Sequence, residues 1–185
     1  NMSELTDIKL PETAVLANDC FAGCYKIKNL VIPRGNITLN GVNVGRTANV
    51  VLPDDVLEVN GPISNGRHGW DNISSGNSTL KSIDLKNVRI LTNGALADCI
   101  VLDKVTLPDS LITLGMSTFQ NCRKLRSIEG GGNVRQIGSN CFADCSELDD
   151  FGDLEKSVRN VGALAFLDTD WFHDQPNGVV YFGKA

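Results

Sequence analysis

The residues best suited to chemistry in this chain are its six cysteines, because thiols form disulfides, bind metals and act as nucleophiles. Cys141 and Cys145 stand four residues apart, which would allow both to ligate one metal ion. No second Cys or His pair stands at ligand spacing, so the pattern predicts no metal site. Six cysteines would also be an ordinary number for a disulfide framework in an exported protein.

The histidines and paired carboxylates point to no reaction. His68 and His173 are the only histidines, and neither has a Ser or Cys partner in a recognisable nucleophile motif. Adjacent or near-adjacent acidic residues occur at Asp54-Asp55, Asp149-Asp150 and Asp168/Asp170. They lack the Asp-x-Asp-x-Asp-Gly loop of a calcium-binding EF-hand and are typical of a solvated surface. We therefore predict no catalytic residue, no cofactor and no enzyme activity.

These residues must be positioned by a repeat of 23 or 24 residues. The sequence around Phe119 aligns with that around Phe142, and the alignment extends to three further copies. Its reference position, which we name the aromatic column, holds Phe21, Leu96, Phe119, Phe142 and Phe166. A period of this length is typical of stacked repeats, in which each column of like residues is buried between copies.

Other columns also keep one chemical character. Five residues before the aromatic column stand Leu16, Leu91, Leu114, Ile137 and Val161. One residue before it stand the small residues Cys20, Ala95, Thr118, Cys141 and Ala165. Three residues after it, in what we name the cysteine column, stand Cys24, Cys99, Cys122, Cys145 and Thr169. Six residues after it stand Ile27, Leu102, Leu125, Leu148 and Phe172. All of these columns are expected to face inward.

The repeat also predicts local structure. Phe119 and Cys122 stand three residues apart, which favours a single helical turn over Ser117 to Cys122. Gly115, Gly138 and Gly162 each follow an apolar residue directly. Glycine at a recurring corner indicates either a positive φ or a close approach of two backbones.

The segment LPDSLITLGMSTFQNCRKLRSI resembles the repeat of the BspA-like leucine-rich repeat family. The resemblance is strong over residues 86–183, clear at 8–33 and poor over 34–79. It implies a right-handed leucine-rich repeat solenoid on an exported bacterial protein, with a role in adhesion and in binding host or extracellular-matrix proteins. It implies no catalytic residues.

We accordingly predict an α/β, β-rich fold, a right-handed leucine-rich repeat solenoid of about seven stacked units with short strands and single-turn helices. Residues 1–185 are expected to form one domain. Regular repeats are predicted at 8–33 and 86–170, and degraded repeats with an insert at 34–85. Residues 171–185 are predicted to be a C-terminal cap, with Trp171 or Phe172 covering the last repeat.

The repeat also bears on the cysteines. Neighbouring strands lie about 4.8 Å apart with parallel side chains, whereas a disulfide requires Cβ atoms about 3.8 Å apart and inclined toward each other. Three consecutive repeats also cannot all pair. We therefore expect all six thiols to be reduced, buried and acting as small apolar side chains.

The candidate binding residues are Arg67, His68 and Trp70, in the insert over residues 61–79, which is rich in Gly, Asn and Ser. Trp and Arg are enriched at binding hot spots, whereas the predicted strand face has mixed charge and no aromatic residue. The alternative is that Trp70 fills the vacant Phe position of its degraded repeat.

Composition limits the partners. A net charge of −5 argues against nucleic acid, and the apolar runs are too short to cross a membrane. Residues 1–20 carry Glu4, Asp7 and Glu12, so no signal peptide is predicted. We predict a non-catalytic protein-interaction or adhesion module, extracellular or at the cell surface, that binds a host or matrix protein or a glycan. The alternatives are a structural spacer in a larger surface protein and an accessory domain of a secreted enzyme.

Overall fold

The computed structural model describes residues 4–14, 16, 21, 24, 26–34, 38–39, 42–44, 47–64, 76–176 and 182. Most of the regular structure in these ranges consists of strands of two to four residues. The strands are β1 (Asn29–Val31), β2 (Thr38–Leu39), β3 (Val42–Asn43), β4 (Asn49–Val51), β5 (Glu58–Asn60), β6 (Ile63–Ser64), β7 (Ser82–Asp84), β8 (Ile90–Thr92), β9 (Lys104–Leu107), β10 (Thr113–Leu114), β11 (Ser127–Gly130), β12 (Gln136–Ile137) and β13 (Asn160–Val161). The helices are α1 (Leu154–Ser157) and α2 (Asp170–His173).

All strand pairs are parallel and join each repeat to its neighbour. One sheet has the order β13-β12-β10-β8-β5-β2. Along another face, β1-β4-β7 is followed by the pair β9-β11, with β7 in contact with β9. A bridge from Ser127 to Asp150 extends this second face by one more repeat. The register aligns equivalent residues, as when Leu114 stands opposite both Leu91 and Ile137. The predicted β-rich class and repeat alignment are therefore confirmed.

The core is formed by the predicted columns, except that Val161, predicted to face inward, is 46% exposed. Phe119, Phe142 and Leu96 are fully buried in one ladder, and Phe166 is buried at its end. The rings of Phe119 and Phe142 stack with centroids 5.4 Å apart. The repeat that resumes after the insert enters the core as expected, since Leu80 and Ile83 are buried. Each repeat thus covers the apolar face of the one before it.

The glycine column is explained by close approach of backbones. A Cβ atom on Gly138 would lie 2.5 Å from the carbonyl carbon of Gly115, and one on Gly162 would lie 2.3 Å from the amide nitrogen of Ser139. A Cβ on Gly115 would clash with the side chain of Thr92. The sequence left two explanations for these glycines, a positive φ or a close approach of two backbones. The structure shows the close approach of neighbouring repeats.

The single helical turn predicted over Ser117 to Cys122 is wrong. Ser117 and Asn121 have φ of +55° and +62°, left-handed values that a right-handed helix cannot contain. The amides of Ser117, Phe119 and Asn121 donate to carbonyls of the next repeat, at 3.0, 2.8 and 2.8 Å. The segment is therefore a series of turns, because its alternate amides serve as hydrogen-bond donors to the neighbouring repeat.

The C-terminal helix α2 changes which aromatic residue faces inward. The hydroxyl of Thr169 accepts the amide of Phe172 at 3.1 Å, which is an N-cap hydrogen bond. Trp171 packs against Phe151 and Phe166, with ring centroids 5.9 and 5.1 Å apart. Phe172 is 46% exposed, so its assignment to the inward column six residues after Phe166 is wrong. The helical turn rotates that position toward solvent.

Candidate interaction surface

The predicted binding residues Arg67, His68 and Trp70 lie outside the described residues, but both ends of their insert are described. At its start, Ile63 is buried and lies on β6, which pairs with β3. The amide of Ile63 donates to the carbonyl of Ala95 at 2.9 Å. The insert therefore begins at a fixed point in the core, beside the turn Ala95–Asp98.

The insert returns to the same turn. Gly76 is buried there, and a Cβ atom on it would lie 1.8 Å from the carbonyl oxygen of Ala97. Asn77 is fully buried, and its side-chain amide donates to the carbonyl of Thr47 at 3.4 Å. Asn77 also accepts the amide of Thr79 at 3.0 Å. Both ends of the insert are thus held against one turn by buried contacts.

The exposed face of the second sheet has the polar character that the sequence predicted. Asn49 donates to the side chain of Asn29 and accepts from the hydroxyl of Ser82, each at 2.7 Å. This row of side-chain hydrogen bonds runs across the sheet and joins β1 to β4 and β4 to β7. Its members are exposed or partly exposed, so the bonds join groups that solvent can also reach.

Farther along this face, charges of opposite sign pair across repeats. Lys124 and Arg126 both donate to Glu147, with Arg126 Nε 2.8 Å from Glu147 Oε2. These hydrogen bonds hold the pKa of Glu147 below its usual value. Glu129 accepts from Thr106 at 2.9 Å and faces Lys104, and both contacts lower the pKa of Glu129. Glu147 and Glu129 are therefore each paired with basic side chains of the preceding repeat.

A groove of about 660 Å³ runs beside the corners that follow β1 and β4. Its apolar lining includes Val31 and Val51, which stand opposite each other on β1 and β4. Its charged lining has both signs, from Lys9, Glu12, Arg34, Asp54 and Lys86. The groove therefore combines apolar side chains with charges of both signs, which favour neither acidic nor basic ligands.

The cysteines are structural in this arrangement. Within the described chain five cysteines are free and buried, namely Cys24, Cys99, Cys122, Cys141 and Cys145; Cys20 lies outside it. The thiol of Cys122 donates to the carbonyl of Leu96 at 3.1 Å, and that of Cys145 to Phe119 at 3.0 Å. Burial raises the pKa of Cys122 and Cys141 far above the usual thiol value. These thiols are therefore poor nucleophiles at neutral pH.

The sequence did not predict these sulfur–carbonyl contacts. The last member of the same column differs, since the hydroxyl of Thr169 donates to the carbonyl of Phe166 in its own repeat at 2.9 Å, whereas the two thiols donate to the preceding repeat. The available signal was that the column holds four Cys and one Thr, because both are small side chains that can donate a hydrogen bond.

The remaining titratable residues form no recognisable reactive centre. His173 is exposed and lies 3.7 Å from the exposed carboxylate of Asp168. The paired carboxylates at 149–150 and 168/170 are exposed as well. Over the described ranges, no three His, Cys, Asp or Glu side chains come together in a way that would hold a metal ion. None of the helices in this part of the chain is long and apolar enough to span a membrane.

The family follows from a comparison with known proteins. The BspA type leucine-rich repeat region matches residues 1–44 and 73–173 in six copies, so the chain belongs to the BspA-type leucine-rich repeat family. No curated protein matches the chain.

Two solved bacterial structures share the fold. A leucine-rich repeat protein from Eubacterium ventriosum has a TM-score of 0.65 and 19% identity, covering 88% of this chain and 42% of that one. A leucine-rich cell surface protein from Faecalibacterium prausnitzii has a TM-score of 0.51 and 15% identity, covering 77% of this chain and 44% of that one. The chain therefore spans less than half the length of either protein.

Proposed function

We propose that the chain is a non-catalytic interaction module of a bacterial surface protein, and that it binds a host or extracellular-matrix protein or a glycan. The observation that carries this proposal is the insert over residues 61–79, which leaves and re-enters the core at the turn Ala95–Asp98. Loops that interrupt a repeat are common sites of recognition. The leucine-rich repeat scaffold is typical of modules that bind proteins, and the similar Faecalibacterium protein is a cell surface protein.

Within this insert, Arg67, His68 and Trp70 are the proposed contact residues. Trp supplies a large contact area and Arg a planar set of hydrogen-bond donors, and both are enriched at hot spots. Anchoring the insert at Ile63 and Gly76 restricts its ends before a partner arrives. That restriction reduces the ordering cost of binding, which otherwise subtracts from affinity.

The structural spacer is the second candidate function. The paired charges around Glu147 and Glu129 favour this candidate. A carboxylate that already accepts hydrogen bonds from its neighbours is less available to bind a ligand. An accessory role beside a secreted enzyme is the remaining alternative. In that role the chain itself would also be non-catalytic.

For the architecture, we propose a right-handed solenoid of about seven units forming one domain over residues 1–185. Regular repeats occupy 8–33 and 86–170, and degraded repeats occupy 34–85. Residues 171–185 form the cap, which is supported by the contacts of Trp171 with Phe166 and of Phe182 with Phe166, the latter with centroids 4.4 Å apart. Deleting residues 171–185 should lower the melting temperature; an unchanged melting temperature and solubility would contradict the cap.

The contact role of the insert is tested with single-tryptophan proteins. Trp171→Phe leaves Trp70 as the only tryptophan, and its fluorescence quenching by acrylamide reports its exposure. Binding of the wild-type chain to immobilised fibronectin and collagen is then compared with that of Trp70→Ala and Arg67→Ala. The matched control is Phe172→Ala, which removes an exposed aromatic ring elsewhere.

We expect an exposed Trp70, unchanged melting temperatures for both insert variants, and binding lost in those variants but kept in Phe172→Ala. If Trp70 is shielded and its removal lowers the melting temperature, Trp70 is a core residue that fills the vacant Phe position. If binding is unaffected by either insert variant, the insert is not the contact surface. A wild-type chain that binds neither matrix protein favours the spacer.

A further inference from the structure

One row of residues stands directly before the strands of the six-stranded sheet. It consists of Arg89, Ile112, Arg135 and Arg159, and we name it the arginine row. Backbone hydrogen bonds join its members, since each amide from Ile112 onward donates to the preceding member's carbonyl, at 2.9, 2.9 and 3.0 Å. Neighbouring parallel strands lie about 4.8 Å apart, so the backbones of Arg89 and Arg135, two strands apart, are about 9.6 Å apart.

The arginines of the row are available to a ligand. Arg89 and Arg159 are exposed, and Arg135 is partly exposed. Over the ranges that the structure describes, none of the three forms a salt bridge. Elsewhere in those ranges Arg34 and Arg126 do pair with carboxylates. Unpaired guanidinium groups therefore collect in one row of a chain whose net charge is −5.

The side chain of Arg135 is also oriented along the row. Its Nη1 donates to the carbonyls of Gly132 and Ser157, at 3.4 and 3.1 Å. Nη1 carries two of the five guanidinium donors, so these bonds do not use the donors on Nε and Nη2. A guanidinium binds a carboxylate or a sulfate through two parallel hydrogen bonds, and a side chain that is already oriented loses less entropy in doing so.

The centre of the row is surrounded by described strands. The strands that follow Arg89, Ile112 and Arg135 are β8, β10 and β12, and they lie between β5 and β13. The corners that precede these three residues are described as well. The described ends of the insert lie beside the turn Ala95–Asp98, which follows β8, whereas the row precedes it. The surroundings of the central three residues within the sheet are therefore known.

Acidic residues lie at the margins of the row. Asp54 and Asp55 precede β5, and Glu58 lies on it. Asp109 is exposed in the corner before β10, and Glu155 is exposed on α1. Three of these five carboxylates are grouped at the β5 end. An anionic ligand would therefore extend from β8 toward β13 rather than toward β5.

The spacing of the row indicates a linear polymer whose charges recur at a fixed interval. Between the guanidinium groups of Arg89 and Arg135 stands Ile112, which is 38% exposed. A polysaccharide in which acidic and neutral sugars alternate presents carboxylates separated by an uncharged ring, and the C–H face of that ring can cover Ile112. A nucleic acid strand has a phosphate about every 3.4 Å, which is denser than two arginines about 9.6 Å apart can match.

We propose that the arginine row binds a linear acidic polysaccharide. Arg89 and Arg135 bind acidic groups on alternate sugars, and Ile112 contacts the ring between them. The proposal goes beyond recognition by the insert, because it concerns a different surface and needs no residue of 61–79. The two surfaces can therefore be tested separately.

The probe is a fluorescein-labelled hyaluronan oligosaccharide, which has a carboxylate on every second sugar. Its binding to the full chain is followed by fluorescence anisotropy. Labelled chondroitin sulfate tests whether added sulfate groups strengthen binding. Labelled dextran is the neutral polysaccharide, and labelled poly-L-glutamate is a polyanion with a peptide backbone.

The protein variant is Arg89→Gln with Arg135→Gln, which removes two positive charges from the row. The matched control is Lys81→Gln with Arg123→Gln, which removes two exposed positive charges elsewhere on the surface. Arg89→Gln alone is measured as well, because Arg135 holds two backbone carbonyls and its replacement could lower stability. Asp109→Asn removes a negative charge from the margin of the row.

We expect hyaluronan and chondroitin sulfate to bind the wild type, and binding to weaken as the salt concentration rises. The double variant should bind hyaluronan at least about tenfold more weakly, and Arg89→Gln about threefold more weakly with an unchanged melting temperature. The control variant should stay within about twofold of the wild type, and Asp109→Asn should bind about twofold more tightly.

Four results would overturn the proposal. Failure of the wild type to bind either acidic polysaccharide would remove the site. Equal loss of binding in the control variant would show that only net charge matters. Equal binding of dextran would exclude the carboxylates as the recognised groups. Poly-L-glutamate binding that is as tight as that of hyaluronan, and is lost in the double variant, would make the partner an acidic protein segment.

The outcome is independent of the insert proposal. The row variants leave residues 61–79 intact and should bind fibronectin and collagen like the wild type. Trp70→Ala should in turn bind hyaluronan like the wild type. Failure of one proposal is therefore distinguishable from failure of the other.

Discussion

Replacing Phe142 with alanine removes the central ring of the aromatic column. Phe142 is fully buried and stacks on Phe119 and Phe166, with centroids 5.4 and 5.9 Å apart. The edge of Phe151 meets the same ring at 5.3 Å. Truncating a buried phenylalanine costs about 3–5 kcal/mol, and lost aromatic pairs add about 0.5–1.5 kcal/mol each. We therefore expect a loss at the upper end of the first range, about 5 kcal/mol.

The free energy of unfolding is measured by urea denaturation of the wild type and of three variants. Phe142→Leu should lose only about 1.5 kcal/mol, because leucine fills this column at Leu96. Phe172→Ala removes an exposed ring and should change stability by no more than about 0.5 kcal/mol. A loss below about 1 kcal/mol for Phe142→Ala would refute the assignment of Phe142 to the stacked core.

Further predictions concern the thiols, the glycine column and the charged face. Cys24, Cys99, Cys122, Cys141 and Cys145 should react with a thiol reagent only after unfolding, and two or more intramolecular disulfides in the mass spectrum would contradict their assignment as free thiols. Gly138→Ala should destabilise by about 2–3 kcal/mol in a urea melt, since its Cβ would lie 2.5 Å from Gly115. Gly132→Ala, whose nearest neighbour would be 3.8 Å away, is the control and should be close to neutral. The pKa of Glu147 is lowered in the folded state, so its contribution to stability is present above its unfolded pKa of about 4.3 and is lost as the pH falls below that value. The difference in melting temperature between wild type and Glu147→Gln should therefore shrink on acidification, and a difference that is constant with pH would exclude this linkage.

Side-chain burial was the most predictable property of this chain. In a stack of repeats, each copy packs on a neighbour of nearly the same shape, so the residue type that suits one copy suits the others. This is why Leu114 and Ile137 could be assigned to the core from their column alone. The same reasoning predicted only part of the role of the glycine column. The recurrence showed that these positions require glycine, but it did not show whether a positive φ or a close backbone approach was the reason. The structure supplies that cause, since a Cβ atom on Gly138 would lie 2.5 Å from the carbonyl carbon of Gly115.

The candidate binding residues depended on a different kind of signal. Arg67 and Trp70 lie in the insert, which does not align with the repeat. The burial of a residue outside the aligned columns cannot be predicted from those columns. The repeat does determine where the insert ends, since Leu80 is buried as its position predicts, whereas the burial of Ile63 inside the predicted insert was not predicted. That both ends meet at one turn depends on how neighbouring repeats stack, which spacing along the chain does not specify.

The sequence by itself determined the repeat, its family and the inward columns, because these follow from periodic residue types. Only the tertiary structure decided how the segments between the columns are arranged. Ser117–Cys122 forms turns because its amides bond to the next repeat, and a contact between repeats can override a local three-residue spacing. Trp171 replaces Phe172 at the end of the core because α2 rotates the chain there. Leu164 and Leu167 are exposed, whereas the equivalent places in earlier repeats carry polar or small residues.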